Sequence, residues 1–235
     1  MPFNHITFLY VLPFKKPLSS IIDTNKTKIS DQHLTPEILL YLITPECRLF
    51  NARLTAELEN LFKNDPFWGF YWPGGQALSK FILEHPDLIK GKSLLDVGSG
   101  CGATSIAALK KNAKYAIAND IDEAAVCSVL VNAQLNSIDL HKLFVSSRNL
   151  IGSPVEEEVI CVGDLFYDEE IADILFPWLD KLADAGKTIL IGDPGRHGLS
   201  TTKMHFLTKL AAYELTANCC IENKGFKNVF VWKFR

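Results

Sequence analysis

The sequence predicts an α/β protein: a doubly wound, mostly parallel, seven-stranded sheet that ends in an antiparallel hairpin. Three observations carry the prediction. From residue 92 onward, short apolar runs alternate with stretches of helical pattern. Several of those runs ("SLLDV", "VICV", "TILI") are almost wholly apolar, as strands buried on both faces are. The last two are separated by the turn "NKGFK", which obliges antiparallel pairing.

Taken in order, residues 1–33 read as poorly structured, being rich in Asn, Thr, Ser and Lys. "TPEILLYLITPECRLF" (35–50) reads as a strand or hairpin, with a short helix as the alternative. Residues 52–63 suit a helix. "NDPFWGFYWPGGQ" (64–76) is an aromatic loop with turn residues at both ends. Residues 34–73 would form an appendage and 74–235 the main domain. In 76–85, Leu78, Phe81 and Ile82 share one helical face. "KSLLDVG" is the first core strand, and Ala103–Asn112 a helix with Lys110 and Lys111 at its C-terminal end. "YAIAND" is the second strand. Asp122 can cap a helix running to about Asn136. "KLFVS" and "VICVGD" are the next strands. Asp168–Ala185 is a helix kinked or restarted near Pro177 and ended by Gly186, and "TILIGD" is the fifth strand. Leu199–Leu210 reads as a helix, "YELTANCCIE" and "NVFVWKF" as the closing strands.

Bulk properties narrow the function. The net charge of −3 and the lack of a long basic run argue against nucleic acid as partner. No apolar stretch approaches the ~20 residues of a membrane span, so no membrane partner is expected. Six cysteines without CxxC spacing read as buried reduced thiols, and six scattered histidines predict no metal. No oligomerisation element is visible, which leaves a monomer as the default. Residues 1–22 contain two lysines, two serines and no acid, mildly like a mitochondrial presequence, but they lack arginine. Composition leaves cytosol and mitochondrial matrix open.

The chemistry begins at "DVGSGCG". Gly98, Gly100 and Gly102 end the first core strand and open the next helix, where open α/β sheets bind ligands. Missing Cβ atoms allow both a sharp turn and close approach of a ligand. The dinucleotide pattern GxGxxG is not met. Instead an acid, Asp96, precedes GxGxG, with Ser99 inside it. Asp120 ends the second strand 18 residues past Gly102, placed for ribose hydroxyls. A nucleoside with an amino-acid tail is S-adenosyl-L-methionine (SAM); a nicotinamide dinucleotide is the second reading.

"DPFWGFYWPGGQALSKFILEHPDLIKGKSLLDVGSGCGAT", "ANDID", "GDLFYDE" and "LIGDPGR" resemble the seven-β-strand protein-lysine methyltransferases, from about Leu34 to the C-terminus. That resemblance implies a Rossmann-like SAM-dependent methyltransferase. Within the family the likeness is greatest to the members that act on the electron transfer flavoprotein β subunit in mitochondria, and to their bacterial relatives. It implies a protein substrate, lysines of that subunit, and the mitochondrial matrix. Another protein substrate, such as a ribosomal protein, or a small molecule is the alternative.

The family's Asp/Glu-x-x-Tyr signature is met by Asp164 and Tyr167, which the resemblance makes catalytic. Trp72 would border the cofactor pocket, and Gly163 would let the strand end approach the adenosyl group. Arg148 and Asn149 are candidates for contacting adenine, and Arg196 for a contact to an acidic partner. Lysine has a pKa of ~10.4, so holding its amine neutral at pH 7.5 costs about 4 kcal/mol. A carboxylate does not reduce that cost, since it favours the charged form. Asp164 is therefore expected to orient the amine and to stabilise the positive charge that develops on nitrogen.

Overall fold

The computed structural model describes residues 27–47, 50, 66–222 and 225–235. The presequence-like residues 1–22 and the helix expected over 52–63 lie outside these.

Seven strands form the main sheet: β3 (Ser93–Val97), β4 (Tyr115–Asn119), β5 (Leu143–Ser146), β6 (Val159–Gly163), β7 (Thr188–Asp193), β8 (Leu207–Glu214) and β9 (Asn228–Phe234). Their order is β5-β4-β3-β6-β7-β9-β8. From β5 to β7 all neighbours are parallel, whereas β9 runs antiparallel to both β7 and β8. The chain leaves β3 in one direction, to β4 and β5, and returns to add β6 on the other side. A crevice therefore opens beyond the carboxyl ends of β3 and β6.

Successive residues of each core strand feed opposite layers. Leu94, Ala116, Cys161 and Leu190 belong to one cluster, and Leu95, Ile117, Ile160 and Ile191 to the other. The first is covered by α1 (Pro73–Glu84), α2 (Ala103–Lys110) and α3 (Glu123–Leu135), and the second by α4 (Glu169–Asp184). On α1, Leu78 and Ile82 are fully buried and Phe81 nearly so, each contributing roughly 1.5–3 kcal/mol. Asp122 caps α3, accepting from the Ala124 N–H at 2.8 Å.

The N-terminal part differs from expectation. Lys28–Ser30 is strand β1, paired antiparallel with β2 (Leu40–Leu42), within residues that composition reads as unstructured. Side-chain amides fasten this ribbon to α3. Asn132 Oδ1 accepts from Tyr41 N–H at 2.8 Å, and Asn136 accepts from the N–H and donates to the C=O of Leu39. Gln76 of α1 holds Leu34 N–H at 3.2 Å.

Three further differences have physical causes. α4 runs unbroken through Pro177 because the proline is exposed while Ala172, Leu175, Leu179 and Leu182 keep one buried face across it. The helix expected over 199–210 shrinks to α5 (Thr201–Met204), because pairing with β9 recruits Leu207 onward into β8. Residues 217–222, expected as strand, form helix α6 (Ala217–Glu222). Thr216 Oγ1 accepts from Cys219 N–H at 3.3 Å, as an N-cap residue does. The closing antiparallel pair is thus joined through a helix, not a tight turn.

Candidate active site

Three glycines from separate elements set the position of α1. A Cβ on Gly74 would lie 2.1 Å from the Gly192 carbonyl oxygen, and one on Gly163 would lie 2.9 Å from Gly75 N. Backbone thus touches backbone where the helix start meets the ends of β6 and β7. Gly163, expected to make room for an adenosyl group, is a glycine because α1 packs against it. It still lines the crevice.

The turn after β3 divides its glycines between two tasks. All three have positive φ: 68° at Gly98, 51° at Gly100 and 82° at Gly102. A Cβ on Gly98 would meet Leu165 at 2.7 Å, and one on Gly102 would meet Val129 at 2.9 Å. Packing explains both. Above Gly100 the nearest atom is Trp68 Cα, at 3.9 Å. A Cβ there would make ordinary contact only, so packing does not require this glycine, and Gly98, Ser99, Gly100 and Cys101 all line the crevice. Ser99 is almost fully buried, yet its Oγ has no hydrogen-bond partner among the described residues. Burial pushes the neighbouring Cys101 thiol up to about 12, so it stays protonated.

The acids play different parts. Asp96 does not line the crevice; its Oδ2 accepts from both N–H and Oγ of Ser105, at 3.1 and 2.9 Å, and so fixes the first turn of α2. Burial pushes its carboxyl up to about 7, against the Ser105 bonds, and Asp120 adds to the rise. The sequence expects Asp96 to touch the cofactor; in the structure its Oδ2 holds the turn from behind. Asp120 ends β4. Its Oδ2 accepts from Gly100 N–H and its Oδ1 from Asp122 N–H, each at 3.0 Å. Each oxygen keeps a second acceptor position, enough for two vicinal hydroxyls. Burial raises its pKa.

Asp164 and Tyr167 follow β6. Asp164 is buried in left-handed conformation, φ 59°, and lines the crevice. Its Oδ2 accepts from Gly74 and Gly75, two free N–H groups at the start of α1, where the helix dipole favours an anion. Its Oδ1 accepts from Nε and Nη2 of Arg196, at 2.9 and 2.7 Å. Burial raises the Asp164 pKa, and the Arg196 guanidinium opposes that rise. Tyr167 is half exposed at the rim, its hydroxyl raised by burial and by Asp168. Trp72 lines the crevice with its indole N–H bonded to Phe67 O at 2.9 Å. Arg196, expected to reach an acidic partner, points inward to Asp164. Arg148 and Asn149 do not line the crevice; Arg148 is tied by its carbonyl to Asn119 Nδ2 at 2.8 Å.

Sequence reasoning missed Asp193 at the end of β7. It is fully buried; its Oδ1 accepts from the N–H groups of Gly195 and Arg196, both at 2.7 Å. Burial and the charge of Asp164 push it up to about 7. The sequence signal was an acid ending an apolar parallel strand, as at Asp96 and Asp120.

The crevice offers a glycine turn and a hydroxyl without a partner among the described residues, and beside it Asp120, bonded to Gly100 N–H, keeps spare acceptors one strand away. These suit the amino-acid tail and the ribose of a sulfonium nucleoside. Residues 76–200 match the family described as Ribosomal protein L11 methyltransferase (PrmA). The chain is 40% identical over 221 residues to the electron transfer flavoprotein beta subunit lysine methyltransferase of Homo sapiens, covering 93% of this chain and 82% of that one. It is 37% identical to the corresponding homolog of Caenorhabditis elegans, covering 89% and 93%. Among solved structures it resembles magnesium protoporphyrin IX methyltransferase from Synechocystis PCC 6803 with bound SAH, with a TM-score of 0.53, 14% identity, and 80% and 91% coverage. It also resembles ribosomal protein L11 methylase from Lactobacillus delbrueckii, with a TM-score of 0.50, 21% identity, and 67% and 77% coverage. At such identities these two structures speak for the fold.

Proposed function

The chain belongs to the family of electron transfer flavoprotein β subunit lysine methyltransferases, and on that premise we propose that it methylates lysine ε-amines of that subunit, using SAM. When bound, the cofactor supplies an electrophilic methyl carbon on a sulfonium. The observation that carries the reading is the crevice at the switch point of the sheet, where Gly100, a glycine that packing does not require, lies beside Ser99 Oγ, which has no partner among the described residues.

Each residue then has a part. Gly100 admits the nucleoside's tail against bare backbone, and Ser99 gives it a hydrogen bond. Asp120 receives the ribose hydroxyls. Phe70, Tyr71 and Trp72 line the crevice with apolar surface that excludes water. Tyr167 stands at the rim, where a lysine side chain would enter. Asp164 places negative charge where the attacking nitrogen becomes positive, which favours the transition state over the neutral amine. Alignment and desolvation supply most of the acceleration. A location in the mitochondrial matrix is part of the same proposal, supported by the acid-free residues 1–22.

The test is label transfer from methyl-labelled SAM, with the electron transfer flavoprotein β subunit and ribosomal protein L11 offered in parallel. Label is expected on lysines of the flavoprotein subunit. Label on no lysine of any protein would sink the enzymatic reading, and label confined to L11 would reassign the substrate. Asp164→Asn keeps an acceptor for the α1 N–H groups and is expected to lower turnover while SAM still binds.

A further inference from the structure

Asp164 is saturated: its two oxygens accept from four N–H groups, two of Arg196 and two of α1. A carboxylate offers about four acceptor positions. No further donor can bind it while Arg196 stays, although it lines the crevice beside Ser99 and Trp72.

Two independent observations concern Arg196. First, its guanidinium carbon lies over the rings of Trp72 and Phe226, 5.7 and 5.6 Å from their centroids. A carboxylate with two aromatic rings is a site for any side-chain cation, ammonium as well as guanidinium. Second, another buried carboxylate stands next to it with capacity to spare. Asp193 Oδ1 already holds the backbone N–H of Arg196, while its Oδ2 is buried with no hydrogen-bond donor among the described residues. An oxygen desolvated without a donor is costly, so it offers a ready second seat for the same guanidinium.

We propose that Arg196 is a placeholder: the cation site formed by Asp164, Trp72 and Phe226 receives the substrate lysine as its ammonium, which releases a proton to solvent before its nitrogen attacks, and Arg196 yields the site by turning its guanidinium to Asp193 Oδ2. The identity of the guest rests on the lysine methyltransferase reading; the existence of the site does not. The exchange leaves both carboxylates paired: Asp164 trades one cation for another, and Asp193, which has only backbone donors beforehand, gains one. Arginine suits the role, since its guanidinium stays protonated and is no nucleophile toward a methyl donor.

Arg196→Ala empties the site, and butylammonium chloride serves as a probe for the lysine side chain. Thermal unfolding of Arg196→Ala is expected to shift upward saturably with butylammonium, and not with sodium chloride at equal ionic strength. No difference between the two salts overturns the proposal. If Arg196→Ala does not fold, Arg196→Lys decides. Incubated with SAM, it is expected to gain methyl groups on residue 196, read by mass spectrometry; an unmodified residue 196 in protein that labels its substrate overturns the proposal. Asp193→Asn weakens the second seat, and should raise KM for the protein substrate about tenfold with kcat and SAM affinity unchanged. An unchanged KM also counts against the exchange. Butylammonium binding needs no methyl donor. A cation site in a protein without methyl transfer would therefore sink the enzymatic reading alone, and methyl transfer without a butylammonium effect would sink the placeholder alone.

Discussion

Gly100 and Gly102 are two residues apart with the same backbone handedness, yet alanine should fail differently at each. At Gly100, φ 51° costs an L-residue about 1–2 kcal/mol. The unfolded chain's lower entropy returns roughly 0.4–1 kcal/mol of that. The new methyl meets nothing closer than 3.9 Å, so no packing term is added. The net loss should be about 1 kcal/mol. At Gly102 the same backbone cost is joined by two Val129 methyls, both 2.9 Å from the new Cβ. Val129 is fully buried on α3 and cannot retreat, so overpacking adds about 1–3 kcal/mol. Urea unfolding should therefore rank Gly102→Ala well below Gly100→Ala. Calorimetric titration with SAH should rank them by another criterion: Gly100→Ala loses tenfold or more in affinity despite its near-normal stability. If Gly100→Ala bound SAH as tightly as the parent, the crevice beside Gly100 would not be the ligand's seat, and the site assignment would fail.

Gly74→Ala puts a Cβ 2.1 Å from the Gly192 carbonyl, backbone against backbone, and should yield no soluble folded protein, checked by expression and circular dichroism. Asp96 holds its proton to about pH 7 when folded and to about 3.9 when unfolded. Its contribution is present below pH 4 and lost as pH rises toward 7, by at most about 4 kcal/mol, and Asp96→Asn should remove that slope from urea unfolding across this range. His33 is held neutral: Thr35 N–H donates to its Nδ1 at 3.3 Å, its Nε2 lies 3.3 Å from Ser30 O, and burial lowers its pKa to about 4. Its contribution is present above pH 6.5 and lost as pH falls toward 4, by about 3 kcal/mol, and His33→Gln should abolish that loss.

The parallel core was legible because its strands need nothing beyond themselves: an apolar run bounded by glycine or a charge, repeated, is already a buried strand. The glycine turn, the cap at Asp122 and the buried face of α1 are likewise written within a few neighbouring residues. What escaped reading depends on partners far along the chain. Leu199–Leu210 reads as a helix, but from Leu207 to Glu214 seven register pairs with β9 outweigh that reading. Asn132 and Asn136 look like ordinary polar helix residues until a ribbon 91–97 residues away presents its backbone to them. Gly163 and Gly192 look like strand ends; their reason is a helix start near residue 74. Asp164 illustrates the limit best. Its place beside the crevice followed from "GDLFYDE" at the end of a strand, but its saturation by Arg196, 32 residues on, is a fact of packing.

The same dependencies bear on how the site works. α1 can approach β6 and β7 because glycines leave room, and its free N–H groups then need an anion, which Asp164 supplies. Asp164, carried into the interior to do so, needs a cation, and Arg196 supplies that. Arg196 is held in turn by the backbone bonds that Asp193 makes to its turn. Each requirement is met within the chain, so the crevice floor is assembled without a ligand, and Arg196 is the part that must move when a substrate cation takes its place on Asp164. Among the described residues, Ser99 Oγ and Asp193 Oδ2 are buried without a hydrogen-bond partner. A fold that satisfies so many polar groups around them retains these two where chemistry asks for partners that arrive later: a nucleoside at Ser99, and a displaced guanidinium at Asp193.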